Sequence, residues 1–209
     1  METETVPAET EAEPLPLPLR GPGQFAWTLA ITGAVGLLAS FALTLEYLHK
    51  LQAPDEALIC DLNPFITCGP AMLSDAAHVL GFPNVILGLV CFTVVLSTAA
   101  ASWAGARLRP WYWRGLQLGL LGATALISYL QWFSVFQLGR LCLWCMIVWA
   151  ATIPLVVATT VFNLAHGHLG ERGRRAGVRL APFTATIAIV WYLVVIGVIL
   201  GGMRDAFGF

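Results

Sequence analysis

The sequence predicts an all-α integral membrane protein, and three observations carry that prediction. Of the 209 residues, 58% are hydrophobic and only 11% charged, with a mean hydropathy of +0.77. A water-soluble domain averages about 25% charged residues and needs them for its surface. The apolar residues are also gathered into runs of about 20 or more, the length that crosses a hydrocarbon core as a helix. These runs do not alternate apolar with polar, as the strands of a spanning barrel would. Each therefore reads as an α-helix, which satisfies its own backbone hydrogen bonds in lipid. The net charge of −1 points to neither acidic nor basic partners, and no nucleic acid is expected among them.

Five segments qualify: 25–48, 82–103, 113–138, 141–165 and 182–200. The first is too long for a signal peptide and has acidic rather than basic residues ahead of it, so it reads as a retained helix. Residues 1–24 differ in kind. They hold Glu2, Glu4, Glu9, Glu11 and Glu13 with Pro7, Pro14, Pro16 and Pro18, a composition that cannot bury a core and is expected to be a disordered tail.

Orientation follows from where Lys and Arg lie in short loops. If the segments alternate, Arg20, Arg107, Arg109, Arg114, Arg172, Arg174, Arg175 and Arg179 share one side, against Lys50, Arg140 and Arg204 on the other. The arginine-rich side is expected to be cytoplasmic, with the N-terminus inside and the C-terminus outside. The long loop 51–81 and the turn at 137–140 then face outward, as expected for a multi-pass protein of the inner or plasma membrane.

Four of the five cysteines fall at that outer level. Cys60 and Cys68 lie in the long loop, and Cys142 and Cys145 open the fourth segment; Cys91 lies inside the second and is expected to be inert. The outside permits disulfides, whereas the cytosol keeps thiols reduced. Residues i and i+3 of a helix place their Cβ atoms about 5–6 Å apart, close enough for a bridge after slight adjustment. The first helical turn also offers unpaired N–H groups and the positive end of the helix dipole, both of which favour a thiolate. A static bridge across one turn closes only a tiny loop and stabilises little, so Cys142–Cys145 reads as a redox pair. A zinc site from all four cysteines is disfavoured by the Cys-x7-Cys spacing, and no metal is expected. Cys60 and Cys68 flank a turn at Asn63-Pro64. They suit an exposed, mobile shuttle pair, while a static loop staple stays open as the alternative.

A disulfide relay at a membrane surface needs an electron sink, and the lipid-soluble candidate is a quinone. Such a site is apolar and aromatic with a few polar groups. Asn84 sits near the outer end of the second segment, Trp149 shares a helical stripe with Cys142 and Cys145, and Phe82, Phe65, Trp132, Phe133 and Phe136 add aromatic surface at that end. Interfacial belts account for such aromatics equally well.

The pattern resembles the vitamin K epoxide reductase family, specifically its bacterial homologues. The resemblance rests on Cys60-Asp61, Cys68, Ser74, Pro83-Asn84 with Gly88, and Cys142-x-x-Cys145, and it covers residues 25–165. It implies a four-helix catalytic bundle around a quinone site, closed by an outward loop that contains a short half-helix, with the fifth helix as an addition. On this division, 1–24 is a cytoplasmic tail, 25–165 the core, and 166–209 a basic cytoplasmic loop and the fifth helix. It further implies that Cys142–Cys145 is the quinone-proximal disulfide, with Cys145 facing the quinone, and that Cys60 and Cys68 take electrons from a thioredoxin-fold partner. Asn84 would hydrogen-bond the quinone oxygen, with Ser74 near the site. Two departures stand out. Where vertebrate members have a tyrosine, this chain has Trp149, which cannot accept a hydrogen bond; this points to plain quinone reduction rather than epoxide reduction. Many bacterial members also carry a fused thioredoxin-like domain, whereas this sequence stops at Phe209.

The expected function is therefore a quinone-dependent thiol–disulfide oxidoreductase that supports disulfide formation. It would oxidise a separate, soluble or anchored, DsbA-like thioredoxin-fold protein and pass the electrons to menaquinone, or else ubiquinone. The rival readings are a membrane scaffold with static disulfides and a small transporter. A transporter places polar groups mid-membrane, and here these are few beyond Thr, Ser and Gln117.

Overall fold

The computed structural model describes residue 15 and residues 19–203. The expected tail falls largely on residues 1–14 and 16–18, outside the described residues. Seven α-helices follow among the described residues: α1 (Pro22–Gln52), α2 (Gly69–Met72), α3 (Val85–Trp103), α4 (Pro110–Phe133), α5 (Leu143–Ala165), α6 (Glu171–Leu180) and α7 (Thr184–Gly202). Five spans are long and apolar enough to cross a membrane, the fifth running Glu171–Gly202. No strand forms among the described residues. The protein is a multi-pass, all-α membrane protein.

Local chemistry sets the helix boundaries. Prolines stand in the first positions of α1 and α4, where the missing N–H would have no partner anyway. As a result α1 begins at Pro22, inside the stretch expected to be tail, and Leu19 just ahead of it is buried against the bundle. Helix α4 ends in one π turn, Ser134–Leu138, closed by Gly139 at φ +62°, a left-handed cap that glycine adopts without strain. Ser134 Oγ donates to the Arg140 carbonyl at 2.8 Å, so the chain passes from α4 to α5 in a tight turn.

Helix α5 is the centre of the bundle: 61% of its spanning window is buried, against 6% for the fifth span. At one end Phe25 stacks on Phe162 at 4.3 Å, with Trp113 tilted over Phe162 at 4.9 Å. Asn163 is fully buried there. Its amide donates to the Trp113 carbonyl at 3.2 Å and to Gln117 Oε1 at 3.0 Å, and Gln117 donates to Thr160 Oγ1 at 2.9 Å. These three polar side chains thus satisfy one another, as apolar surroundings require. On the other side α1 packs closely on α3, where a Cβ on Gly88 would stand 2.5 Å from Ser40 Oγ. Helix α7 lies outside the four-helix core on α5, with the Tyr192 hydroxyl donating to the Ala150 carbonyl.

One expected loop is a helix. Residues 171–180, read as a basic loop from their glycines and charges, form α6. It docks on the end of α5 through Gly177, where a Cβ would stand 2.2 Å from the Ala165 backbone nitrogen. Arg172, Arg174, Arg175 and Arg179 are exposed on α6. They share the bundle end with Arg20, Arg107, Arg109 and Arg114, whereas the cysteines lie at the opposite end with Lys50 and Arg140. Replacing Gly177 by Leu is expected to push α6 off α5. The expected cost is about 1–3 kcal/mol, read as a lower thermal unfolding midpoint in detergent.

Candidate functional site

The loop between α1 and α3 is folded by short-range polar contacts around a small buried cluster of Leu58, Cys60, Cys68 and Met72. Asn63 Oδ1 accepts the N–H groups of Phe65 and Ile66 at 2.9 and 2.7 Å, an Asx turn that reverses the chain after Pro64. Asp61 binds both limbs of that turn. Its carboxylate accepts the Leu58 N–H at 3.1 Å, the Thr67 hydroxyl at 2.6 Å and the Cys68 N–H at 3.1 Å. Partial burial pushes the carboxyl up, but these hydrogen bonds and the Lys50 charge outweigh it and hold Asp61 below its ordinary value. Cys60 and Cys68, on the two limbs, are joined in a disulfide with Cα atoms 6.0 Å apart. The short helical pieces that follow are α2 and a 3₁₀ turn at Asp75–His78.

A second set of contacts brings this loop onto α5. The Leu141 N–H donates to the Phe65 carbonyl at 2.7 Å, and the Thr67 N–H donates to the Leu141 carbonyl at 2.9 Å. The next residue on each strand is a cysteine, so the pairing sets Cys68 beside Cys142 with sulfurs 3.2 Å apart. Cys142 is the N-cap of α5, and its sulfur accepts the Cys145 N–H at 3.4 Å. The first turn of α5 thus offers the sulfur a backbone N–H, a setting that favours a thiolate. The four sulfurs therefore run in the order Cys60, Cys68, Cys142, Cys145.

Beyond Cys145 lies a cavity of about 520 Å³, bounded by α1, α3, α4, α5 and the 3₁₀ turn. Cys145, Asn84, Ser74 and Trp149 line it; Phe65 and Phe82 do not, because both side chains stand on the loop surface. Phe133 reaches the wall, whereas Trp132 and Phe136 point to the surrounding lipid or solvent. Ser74 Oγ donates to the Ala71 carbonyl at 2.8 Å. The Asn84 amide nitrogen donates to the Ala76 carbonyl at 2.7 Å, and its oxygen is buried without a partner among the described residues. Ser40, Tyr47, Cys91 and Phe92 also face the cavity. Sequence reasoning missed them because helices that are apolar on every side carry no periodic signal for their inner face. Cys91 is thus in the cavity wall and not isolated in the bilayer. Beside Gly119 and Gly122 of α4, an added Cβ would meet nothing, and this leaves the cavity its width.

The expectation of an exposed, mobile loop pair needs correction. Cys60 and Cys68 are both 0% exposed. Leu58, Met72, Leu143 and Trp144 pack around them, and the Asp61 and Leu141 contacts fasten the loop down.

The Vitamin K epoxide reductase family model matches residues 27–160. The chain belongs to this family. The matched region holds all five cysteines, the Asp61 turn and the cavity, and stops short of α6 and α7. No curated protein matches the chain at a significant level. Family membership and the Cys60–Cys68 disulfide support a thiol–disulfide oxidoreductase role.

The Asp61 contacts make the loop's closure pH-dependent. A carboxyl held below its unfolded value of about 3.9 contributes stability that is complete above that pH. It is lost as pH falls through the lowered folded value. Asp61→Asn at neutral pH is therefore expected to imitate acidified wild type. Reduction of Cys60–Cys68 by a phosphine should become faster on the order of tenfold, the effect of losing one or two net hydrogen bonds.

Proposed function

We propose that this protein is a quinone-dependent disulfide-generating oxidoreductase that oxidises a separate thioredoxin-fold protein on the non-cytoplasmic side of the membrane. The observation that carries the reading is the row of sulfurs ending at Cys145 in the cavity wall. Thiol–disulfide exchange needs a thiolate against a disulfide sulfur, and Cys142 stands 3.2 Å from Cys68 of the loop disulfide. The arrangement corresponds to the moment after electrons have moved inward: the loop pair is bonded, and Cys142 and Cys145 are free.

The cavity suits a quinone head group in size and chemistry. Its walls are mainly apolar, and Asn84, Ser74, Tyr47, Ser40, Ser134 and Thr152 are the few polar residues among them. The orphaned Asn84 oxygen is a further sign, because a buried acceptor without a donor is costly. Asn84 offers two polarities there: its second amide hydrogen can donate to a carbonyl oxygen, and its free oxygen can accept from the hydroxyl of the reduced ring. When bound, the quinone supplies the sink for two electrons and two protons. Trp149 excludes water from the wall and supplies no hydrogen-bond acceptor, which favours quinone over epoxide as substrate. Menaquinone is favoured over ubiquinone.

The buried loop pair implies two positions for the loop. The position described here serves internal exchange between Cys68 and Cys142. A partner thiol reaches Cys60 only when the Asp61 and Leu141 contacts release. The arginine-rich end, by the positive-inside rule, faces the cytoplasm and sets the cysteines outside. The scaffold reading lacks an account of the Cys142 thiol held against a finished disulfide, and the transporter reading lacks one for the row of sulfurs.

Cys142→Ala and Cys145→Ala are each expected to abolish quinone reduction by the reduced partner; full activity in either would sink the scheme. Cys60→Ala should leave Cys68 free beside Cys142 and accumulate a Cys68–Cys142 disulfide, detected as a cross-linked peptide by mass spectrometry. It should also lose partner oxidation while still reducing quinone with a small dithiol. Asn84→Ala should raise the KM for quinone about tenfold, the worth of one hydrogen bond.

A further inference from the structure

Glu46 is a carboxyl that the relay as described leaves without work. It lies on α1 at the cysteine end and is only 7% exposed. A carboxylate is seldom buried unless paired, yet Glu46 makes no hydrogen bond or ion pair among the described residues. Its neighbours on the helix show where it points. Leu43 and Tyr47 pack on the cluster of Leu58, Cys60, Cys68, Met72 and Cys142. One turn on, Lys50 lies over the residue after Cys68, its Cε 3.5 Å from where a Gly69 Cβ would be. Glu46 falls between them on the face turned to the sulfurs.

We propose that Glu46 takes the proton Cys142 must give up when Cys142 and Cys145 close their disulfide. The inference rests on the redox reading above. Closure converts two thiols to one S–S bond. Two electrons and two protons leave: the electrons go to the quinone, or to another two-electron oxidant, together with the Cys145 proton and one proton from solvent, and the Cys142 proton departs by way of Glu46. Cys142 attacks as thiolate, so its proton needs an acceptor beforehand. The other charged or titratable groups facing the site are engaged. Lys50 donates to the Glu56 carbonyl, Tyr47 is paired with His78, and Asp61 is held by Thr67 and two backbone N–H groups. Cys145 is the partner being attacked.

A thiolate formed near a charged carboxylate in an apolar cluster is costly, and moving the proton to that carboxylate avoids the second charge. Once the proton crosses, the backbone N–H groups at the start of α5 receive a thiolate. Glu46 keeps the small exposure through which the proton leaves.

The test measures single-turnover oxidation of fully reduced protein by a soluble quinone analogue, across pH, for wild type, Glu46→Gln and Glu46→Asp. A parallel measurement follows Cys142 alkylation against pH by peptide mass spectrometry. Glu46→Gln removes a negative charge, so Cys142 alkylation should shift to lower pH. Oxidation should nevertheless slow by about 100-fold, the usual worth of a general base, and should climb with hydroxide, with Glu46→Asp partly restoring it. A charge that acted only electrostatically would make the Gln variant as fast as wild type or faster, and that result overturns the inference. Thermal midpoints of the variants separate loss of the base from loss of the fold. If wild type reduces no quinone, the functional reading fails on that result alone. Glu46 is then judged by the same ordering of rates with a small disulfide as oxidant, where equal rates overturn it.

Discussion

Two backbone hydrogen bonds between the long loop and Leu141 carry more consequence than their strength suggests. Each contributes about 1 kcal/mol net, yet together they decide which sulfur meets which. Thr67 and Leu141 are paired, and the residue after each is a cysteine, so Cys68 and Cys142 are brought together with their sulfurs 3.2 Å apart. The Asn63 turn shapes one side of this pairing. The tight passage from α4 through the π turn and Gly139 shapes the other.

The bundle supports this meeting by holding α5 in place. Helix α5 is fixed at its far end by the Asn163–Gln117–Thr160 network and the Phe25–Phe162 stack. Its first turn can therefore present Cys142 and Cys145 at a set height. Cys142 faces the loop, and Cys145 is shared between the loop cluster and the cavity wall. One helical turn is thus enough to connect a polar, hydrogen-bonded loop with an apolar pocket. The different surroundings of the two sulfurs follow from which side of that turn each occupies.

Much of the architecture was readable because lipid leaves few choices. A run of twenty apolar residues has one way to satisfy its backbone in a bilayer, so all five spanning segments appear where the sequence put them, to within a few residues. The cysteine quartet was readable for a similar reason, since its members share one membrane level. What escaped were features without a period. The single pairing of 65–67 with Leu141 is too short for alternation to show. Helix α6, rich in arginine and glycine, has the composition of a loop, and only the close approach that Gly177 permits makes it pack. The cavity faces of α3 and α4 were hidden because membrane helices are apolar on every side; Ser40, Cys91 and Phe92 could be assigned only once the helices were assembled. Phe65 and Phe82 had the right chemistry and height but the wrong direction.

The complete burial of the Cys60–Cys68 bridge also bears on leakage. An electron carrier in contact with small thiols is discharged by whichever is most abundant, and potential alone gives poor protection. On the proposed function the bridge would be the input terminal, and Leu58, Met72, Leu143 and Trp144 insulate it. The current that small thiols can draw is then set by how often the cover lifts. A protein partner that binds the lifted cover gains an advantage that no small thiol shares. Selectivity in such a device is a matter of gating frequency, and the hydrogen bonds of Asp61 become its time constant.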